Sequence, residues 1–244
     1  MLEKTFCHVK GITLELEKNL WALGIHHWDD FLAKEHELIG LPPLKLDAIK
    51  AELPASKQAL QQNNLRYFQS KLPPKEHWRL AHLGKVGFVD IETTGLSRHS
   101  NQITVLGIYD GVKSHLYVNG KNLPDASAKM KEFDIVVTFN GKQFDIPFIE
   151  HHFGCKYNFV HLDLRYMLKE LGLHGGLKSI ESQLGISRDA SVVGVDGFEA
   201  VRLWHRYQRG CEASLQKLLK YNEEDVVNLQ TLLNYYLQTK KKMH

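Results

Sequence analysis

The stretch Val86-Gly87-Phe88-Val89-Asp90-Ile91-Glu92-Thr93-Thr94-Gly95-Leu96 ends a hydrophobic run in two carboxylates one residue apart. A β-strand over Val86 to Glu92 alternates its side chains, so Phe88, Asp90 and Glu92 share one face and Gly87, Val89 and Ile91 the other. The two acids then stand roughly 7 Å apart by strand geometry. At an effective dielectric of about 20 their repulsion is on the order of 2 kcal/mol. Hard divalent cations take oxygen ligands, so an Asp-x-Glu at the tip of a buried strand points to Mg²⁺ or Mn²⁺. The plain alternative is a solvated strand end, and the pair alone does not decide between them.

Downstream, strands and helices alternate. Gln102 to Tyr109 and His115 to Val118, joined at Asp110-Gly111, continue the first strand as an antiparallel meander. A helix around Pro124 to Glu132 leads to a β-branched strand, Ile135 to Phe139, and then to a helix from about Ile146 to Phe153. Val160 to Leu162 reads as a last short strand. Helices follow over Leu164 to Leu171, Leu177 to Leu184, Phe198 to Tyr207, and from about Ala213 to the end. A hairpin-led mixed sheet flanked by helices is an α/β layer arrangement.

Two later segments carry acids that a metal site needs. In Phe139-Asn140-Gly141-Lys142-Gln143-Phe144-Asp145-Ile146-Pro147-Phe148 a strand ends at Asn140 and a helix opens at Asp145. Asp145 there also fits a helix N-cap, and Asn140 a turn former. In the terminal helix, Leu218, Tyr221, Asp225 and Leu229 follow helical spacing, which places Tyr221 and Asp225 on one apolar face and leaves Glu223 and Glu224 to solvent. A carboxylate on a core-facing stripe needs a partner, while Tyr221 alone fits an ordinary core aromatic.

Together these segments resemble the tyrosine subclass of the DEDD exonucleases, which have a ribonuclease H-like fold: Asp90-Ile91-Glu92-Thr93, Phe139-Asn140 with Phe144-Asp145-Ile146-Pro147-Phe148, and Tyr221 four residues before Asp225. The second segment is similar to the proofreading domains of family B DNA polymerases. The run Asp90 to Leu96, Gly197-Phe198-Glu199-Ala200 with Trp204, and Tyr221-Asn222 with Asp225-Val226 resemble the bacterial YprB-like proteins. The resemblance covers about Leu80 to Tyr236. It implies 3′-to-5′ hydrolysis of phosphodiesters in single-stranded DNA or RNA, with two divalent cations as cofactors. It assigns Asp90 to both ions, Glu92 and Asp225 to one, Asp145 to the other, and Tyr221 to the attacking water. Thr93 and Leu96 are to hold the terminal nucleotide, and Asn140 and Phe144 the strand's path. Lys220 stands where the sister subclass carries a histidine. Rival readings are a non-catalytic nucleic-acid-binding module and a structure-specific endonuclease on the same fold.

Upstream, residues 1–53 read as a small helical unit. Thr13 caps a helix running to Leu23 with Leu16, Leu20 and Leu23 on one face, Gly24 stops it, and a short helix follows over Trp28 to Lys34. Val9-Lys10-Gly11-Ile12 ahead of it resembles the second half of a helix-hairpin-helix, a phosphate-contacting motif. Residues 54–79, set off by Pro54 and by Pro73-Pro74, read as a linker whose helix, Ser56 to Ser70, lies across a surface, and residues 80–244 as the ribonuclease H-like domain.

With 244 residues, 43% hydrophobic and 24% charged, the chain has the composition of a folded protein rather than a disordered one. A net charge of +3 is compatible with an anionic partner without requiring one. Cys7, Cys155 and Cys211 suggest neither a disulfide framework nor a zinc site, and no Cys or His set completes a zinc site among the 14 histidines. Without a signal-like or membrane-length apolar run, the expected location is the cytoplasm. No small-molecule cofactor, membrane or particular protein partner is indicated. Trp204, Arg206 and Tyr207 offer either a stacking surface or core.

Overall fold

In the computed structural model, which describes residues 2–34 and 42–243, Thr13 starts the first helix as its sequence predicts. Its hydroxyl accepts the Leu16 N–H (3.2 Å) at the head of α1 (Leu14–Ala22), and Gly24 turns the chain away at φ 76. The inward face differs from the expected leucine stripe: Glu17 and Leu20 are buried and Leu23 is exposed. Glu17 is tolerated there because its carboxylate accepts the N–H groups of Phe6 (2.5 Å) and Cys7 (2.9 Å) and pairs with buried Arg79 (2.7 Å).

The helices α2 (Trp28–Lys34), α3 (Pro43–Gln61) and α4 (Leu65–Lys71) complete this first unit. The expected boundary at Leu53 falls inside α3, and the chain divides instead between Gly84 and Lys85. Residues 54–79 are therefore not a linker. The single connecting helix is two helices, parted at left-handed Asn63 (φ 49). Leu53, Ala59, Leu65 and Phe68 are all buried, and Phe68 stacks on Trp28 with ring centroids 6.3 Å apart. That burial offsets the backbone hydrogen bond Pro54 removes from α3. Gly11, ahead of α1, holds φ +84 with open space around it.

The second unit is built on β1 (Val86–Thr93), β2 (Ile103–Tyr109), β3 (Ser114–Val118), α5 (Ala126–Met130), β4 (Ile135–Thr138), α6 (Asp145–Phe153), β5 (Val160–Asp163), α7 (Leu164–Lys169), α8 (Leu177–Gln183), α9 (Gly197–Gln208) and α10 (Glu212–Met243). Among the described residues the sheet has five strands in the order β3-β2-β1-β4-β5. β1 runs antiparallel to β2 and parallel to β4. This is the mixed sheet flanked by helices that the sequence predicts. No helix of the described residues is long and apolar enough to cross a membrane.

Helices cover both faces of β1. Val89 and Ile91 pack with Met130, Phe148 and Ile149 of α5 and α6, while Leu218 and Tyr221 of α10 form a second cluster with Val105 of β2. Gly107 sets how closely α10 approaches. It lies opposite Asp90 in the β1–β2 register, and a Cβ there would meet the Asn222 side-chain oxygen at 2.1 Å. With no Cβ in the way, the Asn222 amide donates to Asp90 Oδ2 at 2.9 Å. Gly107→Ala is therefore expected to lower stability by about 1–3 kcal/mol, as overpacking does, and to dislodge Asn222. Thermal unfolding checks it, and an unchanged Tm would show that α10 does not need this clearance.

Candidate active site

β1 pairs with β4 only over Val86 to Phe88, and beyond Phe88 the two strands part. The gap leaves the Ile91 N–H without a strand partner on that side. Asp145, the first residue of α6, fills it: its Oδ1 accepts the Ile91 N–H at 3.1 Å. Asp145 is thus not the N-cap that its position allows, since Phe144 takes the cap position and the carboxylate turns to β1.

Asp90 and Glu92 project from the same face of β1, and a bulge follows between Glu92 and Thr93. Asp225 comes from α10, buried on the stripe Leu218, Tyr221, Asp225, Leu229 as spaced. Carboxylate oxygens of Asp90, Glu92 and Asp225 all lie within 4.8 Å of one another. Asp145 stands outside that group but lines the same cavity of about 570 Å³. Thr93, Leu96, Asn140, Phe144 and Tyr221 line it too, so every residue expected at the site from sequence borders one cavity.

Magnitudes decide what this cluster requires. At an effective dielectric of about 20, each ionised pair at this spacing costs roughly 3 kcal/mol. Three such pairs cost on the order of 10 kcal/mol, comparable to a domain's entire net stability. The carboxyls respond by holding protons. Burial, followed by the neighbouring acids Asp225 and Asp145, raises Asp90 and Glu92 well above the usual carboxylate range. Burial lifts Asp145 to about 7 against the hydrogen bond from Ile91, and Asp225 to about 6 against the pull of Arg188. Burial and the same acids also push the Tyr221 phenol up, so it stays protonated.

Arg188 is not among the residues that the sequence singles out. Its Nη2 donates to Asp225 (2.5 Å) and to Glu181 Oε1 (2.7 Å), and its Nε to Glu181 Oε2 (2.7 Å); Asn228 also donates to Glu181 (2.8 Å). Lys178 Nζ lies 4.6 Å from the Tyr221 ring centroid and the Arg188 guanidinium 5.6 Å from it. Nothing local to Ser187-Arg188-Asp189 announces this; the usable signal is Glu181, an acid on the inward side of α8 that requires a cation. Phe198 and Leu96 both border the cavity yet are 83% and 87% exposed, which leaves two apolar side chains at its mouth.

Asn140 is a turn former as well as a lining residue: at φ 66 it gives its N–H to Asp163 (2.8 Å) and accepts from Arg165 (2.7 Å). Asp163 caps α7 through the Arg165 N–H. The Thr93 hydroxyl donates to the Gly95 carbonyl (2.8 Å). Trp204 is buried in the core and offers no stacking face. Glu224 is less free than expected, since it accepts the Asp189 N–H.

The model of the RNase_H_2 family, described as RNase_H superfamily, matches residues 87–237, more than half of the chain. The chain belongs to this superfamily. Solved structures similar to it include the family B DNA polymerase of the hyperthermophilic archaeon Pyrobaculum calidifontis, 15% identical with a TM-score of 0.50 over 64% of this chain and 24% of that one. The chain thus spans about a quarter of the polymerase, and at this identity the likeness bears on fold alone. Brucella melitensis NrnC is 20% identical with a TM-score of 0.46 over 64% of this chain and 75% of that one. NrnC with bound Mg²⁺ is 21% identical with a TM-score of 0.36 over 63% of this chain and 86% of that one. No curated protein matches the chain significantly. The site therefore sits on an RNase H superfamily fold, and its donor set of three carboxylates suits a hard divalent cation.

The raised carboxyls set a pH dependence. A carboxyl whose folded pKa exceeds its unfolded value near 4 gives stability that is complete below that value and lost as pH rises through the folded one. For Asp225 and Asp145 the loss runs through about 6 and about 7. A divalent cation competes with those protons, so the rise in Tm on adding Mn²⁺ is expected to be clearly larger at pH 8 than at pH 5.5 and to vanish in Asp90→Ala. Equal rises at both pH values would show that the ion binds elsewhere.

Proposed function

We propose that this protein is a metal-dependent 3′-to-5′ exonuclease of single-stranded nucleic acid, of the DEDD tyrosine subclass and YprB-like. The observation that carries the reading is the convergence of three separated sequence segments on one cavity, with three carboxylates within 4.8 Å. Asp90, Glu92 and Asp225 would hold one divalent cation, with Asp145 and Asp90 serving a second, Mg²⁺ or Mn²⁺. Bound there, the cations supply Lewis-acid polarisation of the phosphate and neutralise its charge. Charge balance supports a stepwise filling: four ionised carboxylates and Glu181 against Arg188 and Lys178 leave a formal −3, which one divalent ion would reduce to −1. A second would carry the site to +1, which an arriving phosphodiester would offset.

The remaining roles belong to this chain's own groups. Tyr221, kept protonated by burial and its acidic neighbours, is a hydrogen-bond donor and acceptor that orients the attacking water rather than a base. Arg188, braced by Glu181, fixes Asp225 in one rotamer and acts as a positioning residue. Leu96 and Phe198 at the mouth grip the terminal base, while the backbone at Thr93 takes the terminal sugar. An exposed apolar pair across the mouth suits a chain end, which can enter between them.

The test uses labelled DNA and RNA single strands with Mg²⁺ or Mn²⁺. Shortening from the 3′ end is expected, with Asp90→Ala at background and Tyr221→Phe slower by about 100-fold in kcat, the scale of losing one well-placed donor. Intact strands under all metal conditions, or equal cutting by Asp90→Ala, would end the proposal. Cleavage of a circular strand would turn it into an endonuclease.

A further inference from the structure

A second cavity, of about 710 Å³, adjoins the carboxylate cavity; Phe139 and Asn140 line both. The chemistry changes across that seam. On one side stand five acids, Asp90, Glu92, Asp145, Asp196 and Asp225. On the other, among the described residues, no acid lines the cavity, and Arg165, Lys169 and His174 do. Arg165 is tied to the seam by its bond to Asn140 (2.7 Å), and Asn140 is itself locked by the Asp163 carboxylate, which also accepts the Lys142 N–H (3.0 Å). Tyr166 lies open on the same side with 43% of its surface exposed. Gly175 and Gly176 line this cavity as well, between His174 and Leu177.

We infer that this basic groove is the path of the nucleic-acid strand behind its reacting end, and that the protein's substrate is a single strand of several nucleotides rather than a dinucleotide. The inference rests on the exonuclease reading for its direction: with the 3′ end among the carboxylates, the strand runs 5′-ward past Asn140. Arg165 and Lys169 take successive phosphates, and Tyr166 gives a base a face to stack on. Each cavity is the size of a site for one small molecule, roughly 300–1,000 Å³, so the two in series exceed what one nucleotide fills. Charge complementarity favours a single strand, because cations and an aromatic face line the same groove.

Binding in EDTA isolates this from cleavage. Fluorescence anisotropy of the wild-type full chain with labelled dT2, dT4 and dT6, and with their rU counterparts, is expected to show affinity rising at least tenfold from two to six nucleotides. Lys169→Glu should remove most of that gain and flatten the salt dependence by roughly 0.7 in log–log slope for each phosphate that is no longer neutralised. Tyr166→Ala, another exposed position, should weaken dT6 by about tenfold without changing the slope. Affinity independent of length, or a length gain that survives both variants, would overturn the groove. The two readings fail separately: tight, length-dependent binding with no cleavage in Mn²⁺ would sink the exonuclease and keep the groove. Cleavage of dT2 and dT6 with equal KM would do the reverse.

Discussion

Mutual repulsion among Asp90, Glu92, Asp145 and Asp225 is the force that the rest of the second unit has to contain. Left mobile, four acids would swing apart into solvent. None of them is left mobile. Asp90 and Glu92 are fixed by a strand whose both faces are covered, and Asn222 holds one Asp90 oxygen. Asp145 is held by the Ile91 N–H, and Asp225 by Arg188 with Glu181 and Asn228 behind it. With separation blocked, the remaining ways to relieve the repulsion are a proton or a cation, which is why the carboxyl pKa values rise. Arg188, itself buried, is braced through Nε and Nη2, while its Nη1 has no hydrogen-bond partner among the described residues.

The topology makes room for this crowding. In open α/β sheets the crevice lies beyond the carboxyl ends of the strands, where neighbouring chains diverge. Here the divergence is between β1 and β4 after Phe88, and it exposes the Ile91 amide that Asp145 needs. On the other face, Gly107 lets α10 lie close enough for Tyr221 and Asp225 to reach the carboxyl end of β1. A short parallel pairing and one glycine thus supply the space and the approach.

What can be read from the sequence divides along the range of the interactions. The alternation at Phe88, Asp90 and Glu92 and the helical spacing of Leu218, Tyr221, Asp225 and Leu229 are local periodicities, so strands, helices and the acids they carry are legible. Gly107 is visible as a strand residue only, because its function is the space it leaves for a helix far along the chain. Arg188 is invisible for the same reason. The expected N-terminal boundary is misplaced because a proline commonly ends a helix, whereas α3 carries Pro54 in its interior with Leu53, Ser56 and Ala59 buried beside it. On α1, the spacing of the leucines says nothing of Glu17, a buried acid whose partner, Arg79, lies far along the chain.

Under the proposed exonuclease reading, a site with this charge repels its own substrate, and the fold's distribution of cations addresses it. A phosphate approaching four ionised carboxylates is repelled at long range, and salt screens that only beyond about 8–10 Å. Arg188 and Lys178 cannot offset it on the substrate's behalf, since Arg188 is committed to Asp225 and Glu181 and Lys178 lies over the Tyr221 ring. Positive charge open to a strand is instead displaced along its path, to Arg165 and Lys169 beyond the Asn140 seam. Attraction there acts on phosphates that do not react, so binding energy is drawn from the remote part of the chain and is available to bring the end phosphate against the acids. Separating attraction from chemistry in this way requires a substrate long enough to touch both regions. The same carboxylate crowding that calls for a cation therefore also favours a strand over a mononucleotide.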